Sequence, residues 1–302
     1  MTRRQASTPV RLGAFVAALA LTFAVAFSVG DLTDPVIEPA AGQTTAGAHD
    51  DSEADEHGNS PAPQTAGLPG LANVQAGYAL RPEATLLPSG RQVRFAFAIH
   101  GPDGSAVTRY TTAHDKDLHL VVVRRDLTGY QHVHPVRASD GTWSAQLDLG
   151  AAGTYRAFAD FTPAALGRNI TLGIDLFVAG RFAPAALPVP VRTSRVGPYD
   201  VRLDATPVAR RESELTFTVT RAGSRVTSLE PYLGAFGHLV ALRGGDLAYL
   251  HTHPAQEAHA GARGGPAVRF TTAFPTAGAY RLFLDFKVGA TVRTAAFTVT
   301  VP

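Results

Sequence analysis

The sequence predicts an all-β protein with two tandem antiparallel β-sandwiches, and three observations point to this class. From about residue 76, short runs that alternate apolar and polar residues are separated by Gly, Pro and Asp turns, which is typical of antiparallel sandwiches. The segment HLVVVRRDLTGYQHVHP at 119–135 returns as HLVALRGGDLAYLHTHP at 238–254. A strand-like segment also recurs, as AGTYRAFADF at 152–161 and AGAYRLFLDF at 277–286. This recurrence predicts two homologous domains.

Residues 1–30 are predicted to form an N-terminal transmembrane helix. Three arginines precede an uncharged apolar run at 12–29, and a helix of that length rises about 27 Å, close to the hydrocarbon thickness of about 30 Å. Because the basic residues lie on the N-terminal side, the positive-inside rule places the rest of the chain outside the cytoplasm. A cleavable signal peptide ending near residue 26 is the alternative, and it would make the protein secreted.

Composition predicts two linkers. Residues 31–75 contain eight acidic residues and no lysine or arginine, which indicates a disordered acidic linker. Four prolines and a glycine interrupt the strand pattern at 183–198 and indicate an interdomain linker. The predicted organisation is therefore an anchor or signal peptide at 1–30, a disordered linker at 31–75, a first sandwich at 76–182, an interdomain linker at 183–198 and a second sandwich at 199–302.

The recurring Gly-x-Tyr at 153–155 and 278–280 resembles the tyrosine corner of immunoglobulin-type sandwiches. A Cys-Trp-Cys framework is missing, because the chain has no cysteine and its single tryptophan is Trp143. Ig-like or cupredoxin-like sandwiches are therefore predicted in place of true immunoglobulin domains.

The composition restricts the chemistry. With no cysteine, and with Met1 as the only methionine, the soft ligands that favour Cu(I) are missing, so any metal must be held by nitrogen and oxygen. The net charge is only +2, without an arginine cluster among aromatic residues, so no nucleic acid partner is expected. Neither G-x-S-x-G nor G-x-x-x-x-G-K occurs, so no organic cofactor and no enzyme of those classes is expected.

Each copy of the repeat carries histidines at the spacing H-x12-H-x-H-P. Because side chains alternate along a strand, His132 and His134 share a face. A hairpin turn centred between Asp126 and Leu127 would place His119 opposite His134, on that same face. A slip of one residue would move His119 to the other face, so the prediction depends on hairpin register.

The second copy has the same parity, which predicts a second trio of His238, His251 and His253. Three imidazoles on one face suit Zn(II) or Cu(II). Asp160 and Asp285, which end the strands after the tyrosine corners, are candidate fourth ligands, with turn capping as their alternative role. The predicted metal ligands are thus His119, His132, His134, His238, His251, His253, Asp160 and Asp285.

Other polar residues near the repeat have simpler expected roles. Tyr130 and Tyr249 share the face of the His pairs, as hydrogen-bond donors or as packing residues. His100, His114 and His259 have no counterpart in the other copy. These three histidines are expected to be loop or surface residues.

The segments GHLV, HTHP and YRLFLDF of the second copy, together with HLVVVRRDLTGYQHVHP of the first, resemble a group of membrane-anchored or secreted actinobacterial proteins with tandem domains. The resemblance covers most of residues 76–302. It implies heavy-metal or copper handling. This chain differs from the better-known periplasmic copper carriers, which also use methionine.

Three functions are consistent with these patterns. The first is an extracytoplasmic, membrane-anchored protein that binds Cu(II) or Zn(II) through a histidine cluster in each sandwich. The alternative is a metal-free envelope interaction or scaffold module, whose protein partner the sequence does not identify. The third, a zinc-dependent hydrolase, needs a general base beside the metal, and no glutamate lies next to either His-x-His pair.

Overall fold

A computed structural model describes residues 67–302, and their regular structure is entirely β. The predicted anchor at 1–30 and most of the predicted linker at 31–75 lie outside the described residues. Within 67–302, no helix is long and apolar enough to cross a membrane. The prediction of an all-β fold with two repeated domains is confirmed.

The first sandwich contains two five-stranded sheets. Their strand orders are β1-β2-β4-β8-β7 and β3-β10-β9-β5-β6, antiparallel throughout except where β3 lies beside β10. The strands are β1 Val74–Gln75, β2 Tyr78–Pro82, β3 Leu86–Leu87, β4 Gly90–His100, β5 Leu118–Arg124, β6 Gln131–Val133, β7 Val136–Arg137, β8 Thr142–Leu149, β9 Gly153–Phe161 and β10 Ile170–Val178.

The second sandwich repeats this plan. Its sheets run β11-β12-β13-β18-β17, with β14 beside β13, and β16-β15-β19-β20. The strands are β11 Thr193–Val196, β12 Tyr199–Ala205, β13 Glu212–Arg221, β14 Ser224–Arg225, β15 His238–Arg243, β16 Tyr249–Leu250, β17 His253–Pro254, β18 Ala267–Ala273, β19 Gly278–Val288 and β20 Thr291–Val301.

Both histidine hairpins adopt the predicted register. In the first, Val121 opposes His132, the parity that aligns His119 with His134. In the second, Leu242 opposes Tyr249, which is the equivalent parity. The first ladder ends at Val133, directly before His134. The second ends at Leu250, before His251, and His253 lies in β17, which pairs with the opposite sheet.

The tyrosine corners form as the sequence predicts. The Tyr155 hydroxyl donates to the Ala151 carbonyl at 2.8 Å, and the Tyr280 hydroxyl donates to the Thr276 carbonyl at 2.8 Å. Both rings are buried in the core of their own sandwich. Each hydroxyl therefore reaches a main-chain acceptor a few residues upstream, as in immunoglobulin-type domains.

The central hairpin strands are buried on both faces. In β5, Leu120 and Val122 point into the core of the first sandwich, whereas Val121 and Val123 point away from it. Strand β15 behaves in the same way. The outward side chains of the two strands pack together in an inter-sandwich cluster of Val121, Val123, Leu127, Phe158, Val240, Leu242, Leu247, Tyr249 and Phe283.

Equivalent residues pair across this cluster. Tyr130 of the first sandwich stacks on Phe283 of the second, with ring centroids 4.0 Å apart. The counterpart pair is Phe158 of the first sandwich and Tyr249 of the second, at 5.5 Å. This reciprocal contact is the pattern of a two-fold interface, here formed between two halves of one chain. The two histidine-bearing faces consequently face each other.

Folded structure extends into both predicted linkers. The Gly70 amide donates to the Thr171 carbonyl of the first sandwich, and the Tyr249 amide of the second donates to the Pro69 carbonyl, each at 2.9 Å. The Arg156 guanidinium also donates to the Gly70 carbonyl. Strand β11 lies within the predicted linker at 183–198. These backbone groups are fixed by hydrogen bonds that composition does not reveal.

Candidate metal centre

Three histidines from the two sandwiches converge where the facing sheets meet. One ring nitrogen each from His119, His132 and His238 lies within 4.8 Å of the others. Among residues 67–302 this is the single group of three or more His, Cys, Asp or Glu ligand atoms at such spacing. Two of its members belong to the first sandwich and one to the second.

The repeat itself explains this convergence. His119, the second residue of β5, lies on the same face as Val121. His238, the first residue of β15, lies on the same face as Val240. Because Val121 and Val240 share the inter-sandwich cluster, the two imidazoles also meet. Their rings stack with centroids 5.5 Å apart and an interplanar angle of 10°, and the ring of His132 lies 4.6 Å from that of His238.

Hydrogen bonds fix the tautomers of two of these rings. Nδ1 of His132 lies 3.1 Å from the Asp285 carboxylate, and Nε2 of His119 lies 3.1 Å from the Ala113 carbonyl. Both oxygens accept hydrogen bonds, so each of these two nitrogens carries a proton. The other two nitrogens, His132 Nε2 and His119 Nδ1, are 3.1 Å apart. When both rings carry a single proton, these nitrogens present lone pairs to each other.

A cation between these nitrogens would relieve that repulsion. Metal–nitrogen bonds of about 2.0 to 2.1 Å in tetrahedral geometry bring neighbouring nitrogens close to the spacing observed here. Protonation would also relieve it, but burial, followed by the nearby His132, lowers the pKa of His119 to about 4. Burial also lowers the pKa of His238 well below its ordinary value. These rings are thus neutral near pH 7, which is the form that binds metals.

Asp285 contacts the ring nitrogen of His132 that faces away from His119. Besides His132, its carboxylate accepts hydrogen bonds from the Tyr130 hydroxyl at 3.2 Å and from the Thr294 hydroxyl at 2.5 Å. The side chains of His132 and Asp285 are only 2% and 3% exposed. A carboxylate that orients a ligating histidine is a common feature of metal sites. The structure therefore gives Asp285 a supporting position, different from the predicted role as fourth ligand, because its oxygens already have partners.

Two further ring nitrogens are buried without a hydrogen-bond partner within residues 67–302. They are His134 Nε2 and His238 Nδ1. His134 lies beside the centre, its ring 4.9 Å from that of His132, and burial lowers its pKa to about 3. Buried polar atoms without partners are uncommon in folded proteins and often mark an absent ligand or ion.

The second predicted trio is not brought together. His238 lies with His119 and His132, whereas His251 contacts the Thr171 hydroxyl at 3.2 Å through Nε2. His253 is exposed and pairs with Thr271 of the opposite sheet. The rings of the first predicted trio, His119, His132 and His134, lie within 5.3 Å of one another. The prediction is therefore wrong for the second trio alone, because the two sheets pack face to face and His238 lies against the first sandwich.

Asp160 occupies the position equivalent to Asp285, with a different partner. It opposes His119 across β5 and β9 and accepts a hydrogen bond from the Thr171 hydroxyl at 3.0 Å. That hydroxyl in turn contacts His251. Asp160 is therefore outside the group of converging nitrogens, although a hydroxyl links it to a histidine of the other sandwich.

His114, which is exposed on a turn as expected, lies near the centre. The ring of His114 lies 6.1 Å from that of His119 and 6.0 Å from that of His238. Because His114 has no counterpart in the second copy, comparison of the two copies does not predict that it lies close to His119 and His238. By contrast, the apolar runs that follow His119 and His238 do carry a signal for the shared site. Neither run alternates apolar and polar residues, which is typical of a strand that is buried on both faces.

Stability of the metal-free protein is expected to depend on pH. His119 has a folded-state pKa of about 4 and an unfolded pKa of about 6.5, so the unfolded chain binds this proton first as the pH falls. The free energy of unfolding should therefore be lower at about pH 4.5 than at about pH 7, by on the order of 2 to 3 kcal/mol. Urea unfolding in the presence of a chelator measures the difference.

His119→Asn should reduce this pH dependence, and His259→Ala, at an exposed position, should retain it. Equal stability of the unmodified protein at the two pH values would show that the buried imidazoles already share a proton.

Fold and site together define a tandem β-sandwich protein with a histidine cluster between its domains. The chain belongs to the family described as a domain of unknown function, DUF8832, whose model matches residues 72–176 and 194–302. The two matched segments correspond to the two sandwiches. No curated protein shows significant sequence similarity to the chain.

Solved structures to which the chain is similar include a DUF4426 family protein from Pseudomonas aeruginosa, at 10% identity. That match covers 37% of this chain and 96% of that chain, with a TM-score of 0.27. The Escherichia coli adhesin FdeC has 13% identity, coverage of 75% and 64%, and a TM-score of 0.24. The Yersinia pseudotuberculosis adhesin InvE has 10% identity, coverage of 74% and 58%, and a TM-score of 0.23. The chain spans less than two thirds of either adhesin, and TM-scores this low support no functional argument.

Proposed function

We propose that this is an extracytoplasmic metal-binding protein that holds one Cu(II) or Zn(II) ion between its two sandwiches. His119 and His132 of the first sandwich and His238 of the second are the ligands. The proposal rests on the facing lone pairs of His119 Nδ1 and His132 Nε2, 3.1 Å apart, whose tautomers are set by Ala113 and Asp285.

The donor set is consistent with these two metals. All three ligands are imidazoles, whose neutral form binds both Zn(II) and Cu(II). His134, with its buried and unpartnered Nε2, is the nearest additional imidazole of the first sandwich. Because ligands come from both domains, the bound ion would also hold the two sandwiches together.

The location outside the cytoplasm is part of the proposal. It rests on the uncharged apolar run at 12–29 and the arginines before it. In this arrangement the N-terminal segment anchors the protein in the membrane, and the acidic segment that precedes the first sandwich separates the sandwiches from the bilayer. Cleavage of the N-terminal segment would give a secreted form with the same site.

Metal binding should stabilise the folded protein. An ion that binds only the folded state adds about 2.7 kcal/mol at a free concentration of about 100 times its Kd. Chemical denaturation of the full-length chain should show this gain with Zn(II) or Cu(II), and chelator treatment should remove it.

His259→Ala is the matched control, since it removes an exposed histidine outside the centre and should leave the gain unchanged. A gain that persists in His119→Ala would assign the metal to other groups, such as the acidic segment at 49–57.

A metal-free interaction module is the second candidate. The observation in its favour is that His119, His132 and Asp285 are already linked by hydrogen-bond distances, a chain that one shared proton would complete. In that case the cluster joins the two sandwiches as a structural network. Neither Zn(II) nor Cu(II) would then change the denaturation midpoint.

A further inference from the structure

A cleft of about 350 Å³ is lined by exposed residues and by His119 of the candidate metal centre. Four histidines line it, two from each sandwich, together with Asp160 and Asp117. Only one of the four, His119, belongs to the converging group. The other three, His114, His251 and His253, have no role in the proposed inner site.

His114 lies on a tight turn at the mouth of this cleft. Ala113 and Lys116 close the turn by reciprocal backbone hydrogen bonds of 2.9 and 3.1 Å. The two residues between them, His114 and Asp115, have φ values of 50° and 61°. Two consecutive non-glycine residues in the left-handed region are unfavourable, since such turns usually contain Asn and Gly.

The turn is also connected to the centre. The carbonyl of Ala113 accepts the hydrogen bond from His119 Nε2 at 3.1 Å, the contact that sets the tautomer of His119. The same turn therefore orients an inner ligand and displays an outer imidazole. Backbone strain of this kind is frequently located at functional sites.

Exposure differs sharply between the inner and outer histidines. His119 is 4% exposed and the side chain of His132 is 2% exposed, whereas His114 is an exposed residue. The ring of His114 is almost equally distant from the rings of His119 and His238, at 6.1 and 6.0 Å. An ion that enters through the cleft can thus contact His114 before it reaches the buried nitrogens.

We propose that His114 is a metal-exchange ligand, which binds the incoming ion at the mouth of the cleft and transfers it to His119 and His238. This inference rests on the proposed function of the inner site. A residue that assists transfer lowers the barrier in both directions, so its loss slows uptake and release by the same factor. A ligand of the bound ion behaves differently, because its loss accelerates release and weakens affinity.

His114→Asn tests this distinction, because Asn tolerates the left-handed conformation and removes only the imidazole. Stopped-flow uptake of Zn(II) and of Cu(II) by the full-length chain, release to EDTA, and Kd by chelator competition are measured. Uptake and release should both slow by the same factor, which is about tenfold for a barrier raised by about 1.4 kcal/mol. The Kd should stay constant.

His259→Asn provides the matched control, at an exposed histidine that does not line the cleft, and should leave all three quantities unchanged. Faster release with weaker affinity in His114→Asn would make His114 a ligand of the bound ion and overturn the inference. Unchanged rates would overturn it as well. Failure of the unmodified chain to bind either metal would instead refute the proposed function, and with it this inference.

Discussion

His238→Ala is expected to abolish metal binding as completely as His132→Ala, although the two histidines lie in different sandwiches. Both nitrogens belong to the same converging group, and loss of a direct ligand should exceed the roughly 10- to 100-fold loss of affinity caused by changing a supporting residue. Equilibrium dialysis with elemental analysis should give one ion per unmodified chain and none for either variant.

His251→Ala is the matched control within the second sandwich. It removes a histidine of the same repeat that contacts Thr171 and lies outside the converging group, so the bound ion should be retained. Two ions per chain, with His132→Ala and His251→Ala each losing one, would contradict a shared centre and favour one site per sandwich.

Phe283→Ala is expected to destabilise the protein by about 3 to 5 kcal/mol, the usual cost of truncating a buried phenylalanine. Phe283 is 3% exposed, and its ring stacks on Tyr130 across the inter-sandwich cluster. The matched control is Phe177→Ala, since Phe177 is 47% exposed and should cost less than about 0.5 kcal/mol. Chemical denaturation measures both changes.

The same variant tests the connection between interface and site. Tyr130 donates to Asp285, and Asp285 orients His132, so loss of the Phe283 ring should weaken metal affinity as well as stability. Equal costs for Phe283→Ala and Phe177→Ala would mean that the facing sheets contribute little to stability.

The repeat predicted the fold and the hairpin parity well. Strand alternation and hairpin parity determine which side chains share a face, and they place His119 with His134. Periodicity does not determine what that face packs against. Unbroken apolar runs such as those after His119 and His238 are typical of strands buried on two faces. They do not show that the second surface packs against the other copy of the same strand, as it does here.

Composition was less informative where single hydrogen bonds decide the structure. Pro69 and Gly70 lie in a segment whose composition predicts disorder, yet Tyr249 and Arg156 fix their carbonyls. Likewise, comparison of the two copies does not place His114 near the histidine cluster, because the second copy has no equivalent residue. A turn with two left-handed residues brings it to the centre, and no short-range pattern indicates that geometry.

X-ray absorption spectroscopy or anomalous scattering from the metal-loaded protein tests the central claim most directly. The expected result is a single ion bound by His119, His132 and His238, with metal–nitrogen bonds of about 2.0 to 2.1 Å. An ion bound by His251 and His253, or a separate ion in each sandwich, would contradict a centre shared between the two domains.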